Sequence, residues 1–522
     1  MEIDYSLYLV TGRNLIPDGI TYEDSLEQAL KGGVTVVQVR EKTADTGEFL
    51  EVARATKKLC EKYKVPLIIN DRIDIALAVE ADGVHLGQTD MPIKVARKLL
   101  PANAIIGISC NTGEEVEKAV SAGADYVGIG PVCATSTKQV TSPLLGPRNL
   151  GDILVALENT NVKSVAIGGI KSTNATRILF GSIMTSGKSL DGLAVVSDIV
   201  ASPEPLIAAK RLKDAVSYFK ASRTKFSSLD SYTTESLKGS VGEALRYVRE
   251  VSPLVHQITN VVVTTQSANA TIALGASPIM ATSPEEMEDL ARIPGGLLIN
   301  FGTLTSLEGM IVAGQHANQN KKPVVFDPVG VGATSFRKRT AAELLNAWQA
   351  TVIKGNAGEI GALSNSSEVQ SKGVDSTGSG FTDPASTVRS LALRERCVVG
   401  MTGAVDWVSD GKHVVRLGNG HPLLGEITGS GCMVGTSVAT FCGALSVAAG
   451  AELKEVPSNP LVDGDMFVAA IAGISAVTIA SEIAALRPDV QGPGTFLPAF
   501  IDELSKLTPE VLSEKVNIEI VS

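Results

Sequence analysis

The first 220 residues repeat one pattern, in which short β-branched runs alternate with stretches of helical periodicity. The intervening stretches, such as GEFLEVARATKKLCEKY, place apolar residues at helical spacing. Eight βα units within about 200 residues predict a (β/α)8 TIM barrel, although an open doubly wound sheet can use the same units. The count of eight favours the closed barrel. The runs are, in order, SLYLVTG, VTVVQVRE, PLIIND, DGVHLG, IIGISC, DYVGIGPV, SVAIGGI and GLAVVSDI.

The remaining chain predicts a second α/β domain. A length of 522 residues exceeds a single domain at roughly 150 residues each. The polar stretch SRTKFSSLDSYTTESLKGS lacks apolar periodicity and predicts a linker over residues 223–238, between domains at 1–222 and 239–522. In the second domain, GGLLINFG, PVVFDPVG, TVIKGN and CVVGMTG predict strands with glycine-bearing turns. The insert SNSSEVQSKGVDSTGSGFTD predicts a polar loop.

Composition restricts the partners of the chain. The net charge is −10, and no Lys/Arg run is present, which argues against nucleic-acid binding. Two uncharged segments, 433–451 and 466–481, are rich in Ala, Gly, Ser and Thr and predict buried helices better than membrane spans. The six cysteines form no CxxC pair, and the N-terminus shows no export signal, so we expect a reducing, cytoplasmic setting.

Polar side chains gather at the ends of the barrel runs, where active sites of such barrels lie. Alternation places Gln38, Arg40 and Lys42 on one side of the second run, and cations there suit a phosphate or pyrophosphate. Solvated loop charges are the alternative. Asp71 and Asp90 follow neighbouring runs and predict a Mg²⁺ site, with helix capping as the alternative.

Later runs end in small and hydroxyl-bearing residues. A run that ends at a glycine pair exposes backbone N–H groups, which commonly bind phosphate in barrels. Together, the strand ends predict a site for two phosphorylated ligands and a metal ion. The additional residues are Asn70, Ser109, Thr135, Ser136, Thr137, Lys138, Gly168, Val196 and Ser197.

Residues 5–200 resemble thiamine-phosphate synthases. The motifs that carry the resemblance are QxREK, (I/V)ND, HLGQxD, GxS, TxTK, GGI and VVS, which occur here in that order. The resemblance implies a condensation of 4-amino-2-methyl-5-pyrimidinylmethyl diphosphate with a thiazole phosphate, which releases pyrophosphate. It implies three groups of residues: Gln38, Arg40, Lys42, Asn70, Ser109 and Lys138 for the pyrimidine diphosphate; Asp71 and Asp90 for Mg²⁺; and Thr135, Ser136, Thr137, Gly168, Val196 and Ser197 for the thiazole phosphate.

In the second domain, the segment EITGSGC precedes the longest apolar helix. Small residues at a helix N-terminus expose N–H groups that can hold a transferring phosphoryl group. Cys432 falls in the first turn, where the helix dipole is expected to lower the pKa of its thiol, and a buried structural cysteine is the alternative. Asp327 and Glu359 end or follow strands and could serve Mg·ATP, or could cap helices.

Residues 240–505 resemble hydroxyethylthiazole kinases of the ribokinase-like superfamily. The motifs are PLVHQITN, ALGASPIMA, DPVGVGA, KGNAGE, MTGAVDWVSDG, TGSGC and GPGTF. The resemblance implies ATP-dependent phosphorylation of 4-methyl-5-(2-hydroxyethyl)thiazole. Lys354 stands where the family commonly has Arg. The implied roles are thiazole binding by Met280 and Gly429, ATP binding by Lys354 and Thr402, Mg²⁺ binding by Asp327 and Glu359, and catalytic base for Cys432.

The two resemblances name consecutive steps, because the kinase product is the substrate of the synthase. The fusion resembles the fungal bifunctional enzymes of thiamine biosynthesis and implies a homo-oligomer built on a kinase-domain trimer. Two alternatives stay open: only one half is active and the other is a scaffold or ligand sensor, or the kinase half is a broader pyrimidine or sugar kinase.

Overall fold

The structure is a computed structural model that describes residues 3–135, 143–225, 232–304, 306–366, 368–372, 375–377, 380–452 and 461–521. The chain divides into two compact units, residues 1–225 and 226–522. Each unit contains its own sheet and its own apolar core.

The first unit is a closed barrel of eight parallel strands, as the eight runs predict. Seven strands fall within their predicted runs, β7 begins one residue before its run, and β1 pairs with β8 to close the barrel. The strands are β1 (Leu7–Val10), β2 (Val36–Val39), β3 (Leu67–Asn70), β4 (Gly83–Leu86), β5 (Ile105–Cys110), β6 (Tyr126–Ile129), β7 (Lys163–Ile167) and β8 (Gly192–Val195).

The helices of the first unit cover the outside of the barrel through their apolar faces. Several begin at side-chain caps: Thr21 accepts a hydrogen bond from the Asp24 backbone N–H, and Asp45 accepts one from Glu48. The helices are α1 (Tyr22–Lys31), α2 (Thr46–Tyr63), α3 (Ile73–Ala78), α4 (Ile93–Leu99), α5 (Gly113–Ala122), α6 (Gly146–Ile153), α7 (Ala175–Gly181), α8 (Ser197–Val200) and α9 (Pro205–Lys225).

The second unit is built on a nine-stranded sheet in the order β10-β9-β11-β12-β13-β16-β17-β18-β19. Pairing is parallel from β10 to β16 and antiparallel from there to β19. The α/β fold class predicted for both halves is therefore confirmed. The strands are β9 (Leu254–Ile258), β10 (Ser277–Ile279), β11 (Gly295–Asn300), β12 (Val324–Asp327), β13 (Val352–Asn356), β16 (Val398–Thr402), β17 (Asp406–Ser409), β18 (Val414–Leu417) and β19 (Ile518–Val521).

The predicted polar loop between 364 and 383 contains a small antiparallel pair of strands, β14 (Gln370–Lys372) and β15 (Asp375–Thr377). Prediction of a loop was therefore wrong for these six residues. Their polar side chains lack the apolar alternation that marks a half-buried strand, while cross-strand backbone pairing does not depend on that alternation.

Helices pack on both faces of the large sheet. The first of them, α10, begins at Thr234, so the predicted linker over residues 223–238 was wrong for its last residues, which are helical. Thr233 and Ser236 form a reciprocal capping box, and Leu237 is fully buried. The helices are α10 (Thr234–Val251), α11 (Thr264–Leu274), α12 (Met287–Arg292), α13 (Leu307–Gln319), α14 (Ser335–Ala347), α15 (Ala357–Ser364), α16 (Pro384–Glu395), α17 (Ser430–Glu452), α18 (Met466–Ala485), α19 (Pro493–Lys506) and α20 (Pro509–Lys515).

Helices α17 and α18 are long and apolar enough to cross a membrane by length and composition. In the structure they pack against each other, and 72% and 89% of their apolar windows are buried inside the second unit. These helices therefore belong to the apolar core of the second unit, as predicted from their content of small residues.

Candidate functional site

A cavity of about 470 Å³ opens at the carboxyl ends of the barrel strands. It brings together eleven of the fourteen residues that sequence analysis assigned to the barrel site. The lining residues among these are Gln38, Arg40, Lys42, Asn70, Asp71, Asp90, Ser109, Thr135, Gly168, Val196 and Ser197. The other three, Ser136, Thr137 and Lys138, lie outside the described residues.

The charged side chains that follow β2 point in alternate directions, as predicted. Lys42 contacts the Asp71 carboxylate on the cavity side. Glu41, on the other side, binds Arg13 through two hydrogen bonds of 2.8 and 2.9 Å. The bidentate pair with Arg13 anchors the loop while leaving Arg40 and Lys42 along the cavity. The arrangement suits a dianionic or trianionic ligand.

Asp71 and Asp90 lie side by side at the cavity. Burial raises the pKa of Asp71, and the neighbouring Asp90 raises it further, while Lys42 opposes both effects. Hydrogen bonds from Asp71 and from the Gly87 backbone lower the pKa of Asp90, although burial opposes this. Two carboxylates in such close contact repel each other unless a proton or cation lies between them. The donor set therefore fits Mg²⁺, which binds through one or two carboxylates plus substrate phosphates.

Within the described residues, no group of three or more His, Cys, Asp or Glu side chains converges as a metal site. A metal held by the Asp71–Asp90 pair would therefore need further oxygen ligands, which phosphate groups and water can supply.

Sequence analysis missed several polar residues of the cavity. Thr11, His85, Gln88 and Asn111 also line it. The side chain of His85 is buried between Tyr126 and Ser109, at 2.9 Å from each. A histidine inside the apolar run DGVHLG was a usable signal, because a polar residue within a barrel strand needs a partner in the interior.

A second polar cluster lies in the second unit, where β11, β12 and β13 end beside the start of α17. Lys354 Nζ is 3.3 Å from Asp327 Oδ1, and both side chains are buried. Asn300 donates a 2.9 Å hydrogen bond to Asp327 and contacts Cys432 Sγ at 3.2 Å. The structure therefore brings together Asp327, Lys354 and Cys432, as the sequence predicts.

The expected low pKa of Cys432 is corrected by the structure. Burial is the largest effect and raises the pKa of the thiol to about 11, and the nearby Asp327 carboxylate acts in the same direction. The Lys354 charge and the amides of Asn260 and Asn300 oppose this shift without cancelling it. Desolvation and a buried carboxylate thus outweigh the N-terminus of the helix. Cys432 is a thiol in the free protein at neutral pH.

Glu359 is a helix cap and also a member of the charged cluster. Asn356 and Glu359 form a capping box at the start of α15, and the second Glu359 oxygen accepts a 3.0 Å bond from the Gly330 backbone. Burial raises the pKa of Glu359 to about 7, and the Asp327 charge adds to this, whereas Lys354 opposes it. The capping alternative is therefore confirmed, and the role of Glu359 near Mg·ATP stays a prediction.

Glycines allow the helix N-terminus to approach the cluster. A Cβ at Gly431 would lie 3.3 Å from Lys354 Nζ, and one at Gly435 would lie 2.9 Å from Asp327 Oδ2. Gly429 has φ +84°, and a side chain there would overlap Val263. The glycines therefore let the start of α17 approach Lys354 and Asp327 more closely than residues with a side chain could.

The two remaining predicted residues lie at strand ends of the same sheet. Thr402 ends β16, is paired with Asn356 across the sheet, and contacts the Gly355 carbonyl at 3.5 Å. Met280 directly follows β10 and is half-buried. Their positions at carboxyl ends of parallel strands agree with a ligand-binding edge, although no contact joins either residue directly to Cys432 among the described hydrogen bonds.

Comparison with known proteins gives two family matches and related full-length chains. Residues 7–199 match the thiamine monophosphate synthase model, and residues 245–510 match the hydroxyethylthiazole kinase family model. A probable thiamine biosynthetic bifunctional enzyme of Schizosaccharomyces pombe is 42% identical over 99% of this chain and 97% of the relative. The thiamine biosynthetic bifunctional enzyme of Saccharomyces cerevisiae is 38% identical over 98% and 97%. A hydroxyethylthiazole kinase of Thermoanaerobacter is 41% identical over 53% of this chain and 99% of its own length.

Proposed function

Because this chain belongs to the family of bifunctional thiamine biosynthetic enzymes, with a synthase domain and a hydroxyethylthiazole kinase domain, we propose that the barrel cavity and the Cys432 cluster are its two active sites. The kinase site phosphorylates the hydroxyethyl group of the thiazole with ATP. The synthase site joins the resulting thiazole phosphate to the pyrimidinylmethyl diphosphate. The single observation that carries this proposal is the convergence of eleven predicted residues on one barrel cavity.

In the synthase site, the bond between the methylene carbon and the diphosphate breaks, and a bond from the thiazole nitrogen to that carbon forms. Lys42 and Arg40 face the cavity and would stabilise the charge of the departing pyrophosphate. Gln38, Asn70 and Ser109 would orient the pyrimidine diphosphate, and Lys138 would add a further cation. Thr135, Ser136, Thr137, Gly168, Val196 and Ser197 would hold the thiazole phosphate.

Mg²⁺ bound by Asp71 and Asp90 would neutralise diphosphate charge and hold the diphosphate oxygens in place. The mutual repulsion of the two carboxylates supports this assignment. Lys42 already contacts Asp71, so the residue can hold the carboxylate in position when the site is empty and bind the diphosphate when it is filled.

In the kinase site, Lys354 and Thr402 would bind ATP, while Met280 and Gly429 would contact the thiazole. Asp327 and Glu359 would lie near the Mg²⁺ of Mg·ATP. The positive charge of the buried Lys354 would partly neutralise these carboxylates. The turn at Gly429 would supply backbone N–H groups to the transferring phosphoryl group. The thiolate form of Cys432, the minor form at neutral pH for a pKa of about 11, would accept the proton of the thiazole hydroxyl as that oxygen attacks the γ-phosphorus and the bond from this phosphorus to ADP breaks.

The proposal also includes a cellular location, a set of partners and an assembly. All six cysteines are free thiols in the structure, which supports a reducing, cytoplasmic location. The substrates are small molecules, with no nucleic acid or membrane as partner. A homo-oligomer built on a trimer of kinase domains is the proposed assembly.

The test is to assay both half-reactions in the full-length chain and in two single-site variants. Lys42→Ala should lower synthase kcat/KM by about a hundredfold or more while kinase activity stays at the wild-type level. Asp327→Asn should do the reverse. Loss of both activities in either variant, or wild-type activities in both, would refute the assignment of two separate sites.

A further inference from the structure

A hydrogen-bonded chain of five polar side chains, four buried and one half-buried, crosses the interior of the barrel beneath the cavity. Gln38 Nε2 lies 2.8 Å from Tyr8 Oη, which lies 2.6 Å from Tyr126 Oη. Tyr126 Oη lies 2.9 Å from His85 Nδ1, and His85 Nε2 lies 2.9 Å from Ser109 Oγ. The two ends, Gln38 and Ser109, line the cavity, while Tyr8 and Tyr126 are buried in the core below it.

The chain has a defined order of donors and acceptors. The Gln38 Nε2 group can only donate, so Tyr8 Oη accepts there, and the order in which every proton of the chain meets an acceptor has Tyr8 donating its single proton to Tyr126. Tyr126 then donates to His85 Nδ1, which must be unprotonated. A neutral imidazole carries its proton on the other nitrogen, so His85 Nε2 donates to Ser109 Oγ. The remaining groups are an acceptor, Gln38 Oε1, and a donor, the Ser109 hydroxyl.

The members of the chain are uncharged, which this order requires. Burial lowers the pKa of His85 to about 4, and it raises the pKa values of Tyr8 and Tyr126 above their usual range. A protonated imidazole would donate from both nitrogens. Its Nδ1–H group would then face the Tyr126 O–H group, and neither would have an acceptor in the other.

The barrel makes space for these polar groups. A Cβ on Gly107 would overlap the Tyr126 ring, and one on Gly128 would lie 3.2 Å from His85 Cε1. Apolar side chains of similar size would fill this layer without the cost of burying hydroxyl and imidazole groups. The two ends of the chain, Gln38 and Ser109, line the cavity, so a function of these polar groups is expected there.

We propose that His85 and Tyr126 are positioning residues of the synthase site, which act by fixing Gln38 as an acceptor and Ser109 as a donor toward the substrate. This inference rests on the proposed function of the cavity. The ligand chemistry that fits is a planar heterocycle edge with an N–H donor and a ring-nitrogen acceptor. The aminopyrimidine offers both, because its exocyclic amino group donates and its neighbouring ring nitrogen accepts. In an oxopyrimidine the exocyclic carbonyl accepts and the protonated ring nitrogen donates, so the two roles are exchanged. The chain therefore also provides discrimination between amino and oxo pyrimidines.

The first test compares Tyr126→Phe with Tyr5→Phe in the full-length protein. The Tyr5 ring packs 5.0 Å from the Tyr126 ring in the same buried cluster, and its hydroxyl is not a member of the chain. Tyr126→Phe should lower synthase kcat/KM for the pyrimidine diphosphate by about tenfold to hundredfold, with KM for the thiazole phosphate and kinase kcat unchanged. Tyr5→Phe should leave all these constants within about twofold.

Equal synthase constants in Tyr126→Phe and Tyr5→Phe would overturn the positioning role and leave the proposed function intact. A wild-type protein without synthase activity would refute the proposed function itself. Equal losses in both variants, accompanied by equal losses of thermal stability of the barrel, would assign the effect to packing and also overturn the proposal.

The second test reads the proton order directly, because packing alone does not set it. Nitrogen-15 NMR of the imidazoles, with the His85 signal identified by its absence in His85→Gln, should show the Nε2–H tautomer. Tyr126→Phe should change the His85 signal, and Tyr5→Phe should not. His85→Gln should also retain more synthase activity than His85→Leu, because a Gln amide can still donate to Ser109. The opposite tautomer, or equal activity of the two His85 variants, would contradict the proposed order.

Discussion

At the scale of single residues, burial and the helix N-terminus compete for control of the Cys432 thiol. The start of α17 favours a thiolate, but the thiol is 8% exposed and lies in a cluster with the Asp327 carboxylate. The result is a pKa of about 11 in the free protein. Position in a sequence motif identified the residue, whereas its protonation state depends on Asn260, Asn300, Asp327 and Lys354, which come from four other segments.

This pKa gives a testable pH dependence for the kinase reaction. The base form is the thiolate, and its fraction increases about tenfold per pH unit below a pKa of about 11. If Cys432 is the base, kinase kcat/KM should rise between pH 7 and 9, and Cys432→Ser should remove the rise. Initial rates across this range at saturating ATP give the measurement. A flat wild-type profile would exclude a thiolate base.

Asp406 provides a second residue-scale prediction. Burial raises the pKa of its carboxyl from 3.8 to about 7, although a hydrogen bond from the Gly403 backbone opposes the shift. Because the folded-state pKa exceeds the unfolded value, the folded state binds more protons, and stability falls as pH rises from about 4 to about 7. Asp406→Asn keeps an acceptor for Gly403 and should remove the contribution of Asp406 to this fall, which is about 4 kcal/mol.

The measurement is urea unfolding of the second unit, followed by tryptophan fluorescence at several pH values. Both tryptophans, Trp348 and Trp407, lie in that unit, so the signal does not report the barrel. The exposed carboxylate of Asp289 offers a control, and Asp289→Asn should retain the wild-type slope. A wild-type slope in Asp406→Asn would contradict the buried-carboxyl account.

The sequence predicted most of the barrel site because strand ends of a parallel barrel share one rim. Residues such as Lys42 and Asp90 could be assigned from that rule alone. The polar His85 within the apolar run DGVHLG was a local signal, but its pairing with Tyr126 could not be predicted, because the two strands are far apart in sequence and meet only across the barrel interior. This pairing depends on the closed tertiary structure, which no local pattern encodes.

At the scale of elements, apolar periodicity identified the eight barrel strands and the long helices. Two predictions at this scale, the end of the linker and the loop that contains β14 and β15, were wrong for physical reasons. The predicted linker ended too late because the first turn of α10 is polar and exposed up to Leu237. The β14–β15 pair was missed because its residues carry no apolar alternation. Hydrophobic patterns predict the face that an element buries, and neither the residues of α10 before Leu237 nor the sequence of β14 and β15 carries such a pattern.

Close packing of α17 on β11 gives a prediction for a single methyl group. A Cβ at Gly443 would lie 2.7 Å from the Gly296 backbone nitrogen, which cannot move without disturbing the sheet. Gly443→Ala should lower the free energy of unfolding of the second unit by about 1–3 kcal/mol, measured by tryptophan fluorescence in urea.

Gly450 in the same helix gives the matched control. A Cβ at this position would meet no atom within 4 Å. Gly450→Ala should therefore leave stability unchanged or raise it by up to about 1 kcal/mol, because Ala favours helix over Gly. Equal effects of the two substitutions would show that close approach to β11 does not limit this helix.

At the scale of the whole molecule, the chain carries two self-contained units, each with an apolar core and a polar cluster at the carboxyl ends of its parallel strands. Lys42 and Asp71 belong to one cluster, and Lys354 and Asp327 to the other. We predict that the thiazole phosphate made at the kinase site reaches the barrel by diffusion through solvent, so that it can pass between different molecules.

Complementation between two defective chains measures this claim directly. Lys42→Ala and Asp327→Asn chains are each supplied with thiazole alcohol, ATP and pyrimidine diphosphate, first separately and then mixed. Each variant alone should form little thiamine phosphate, and the mixture should recover it after a lag in which thiazole phosphate accumulates. A mixture as inactive as its components, when each retains its own half-reaction, would contradict two independent sites that share a freely diffusing intermediate.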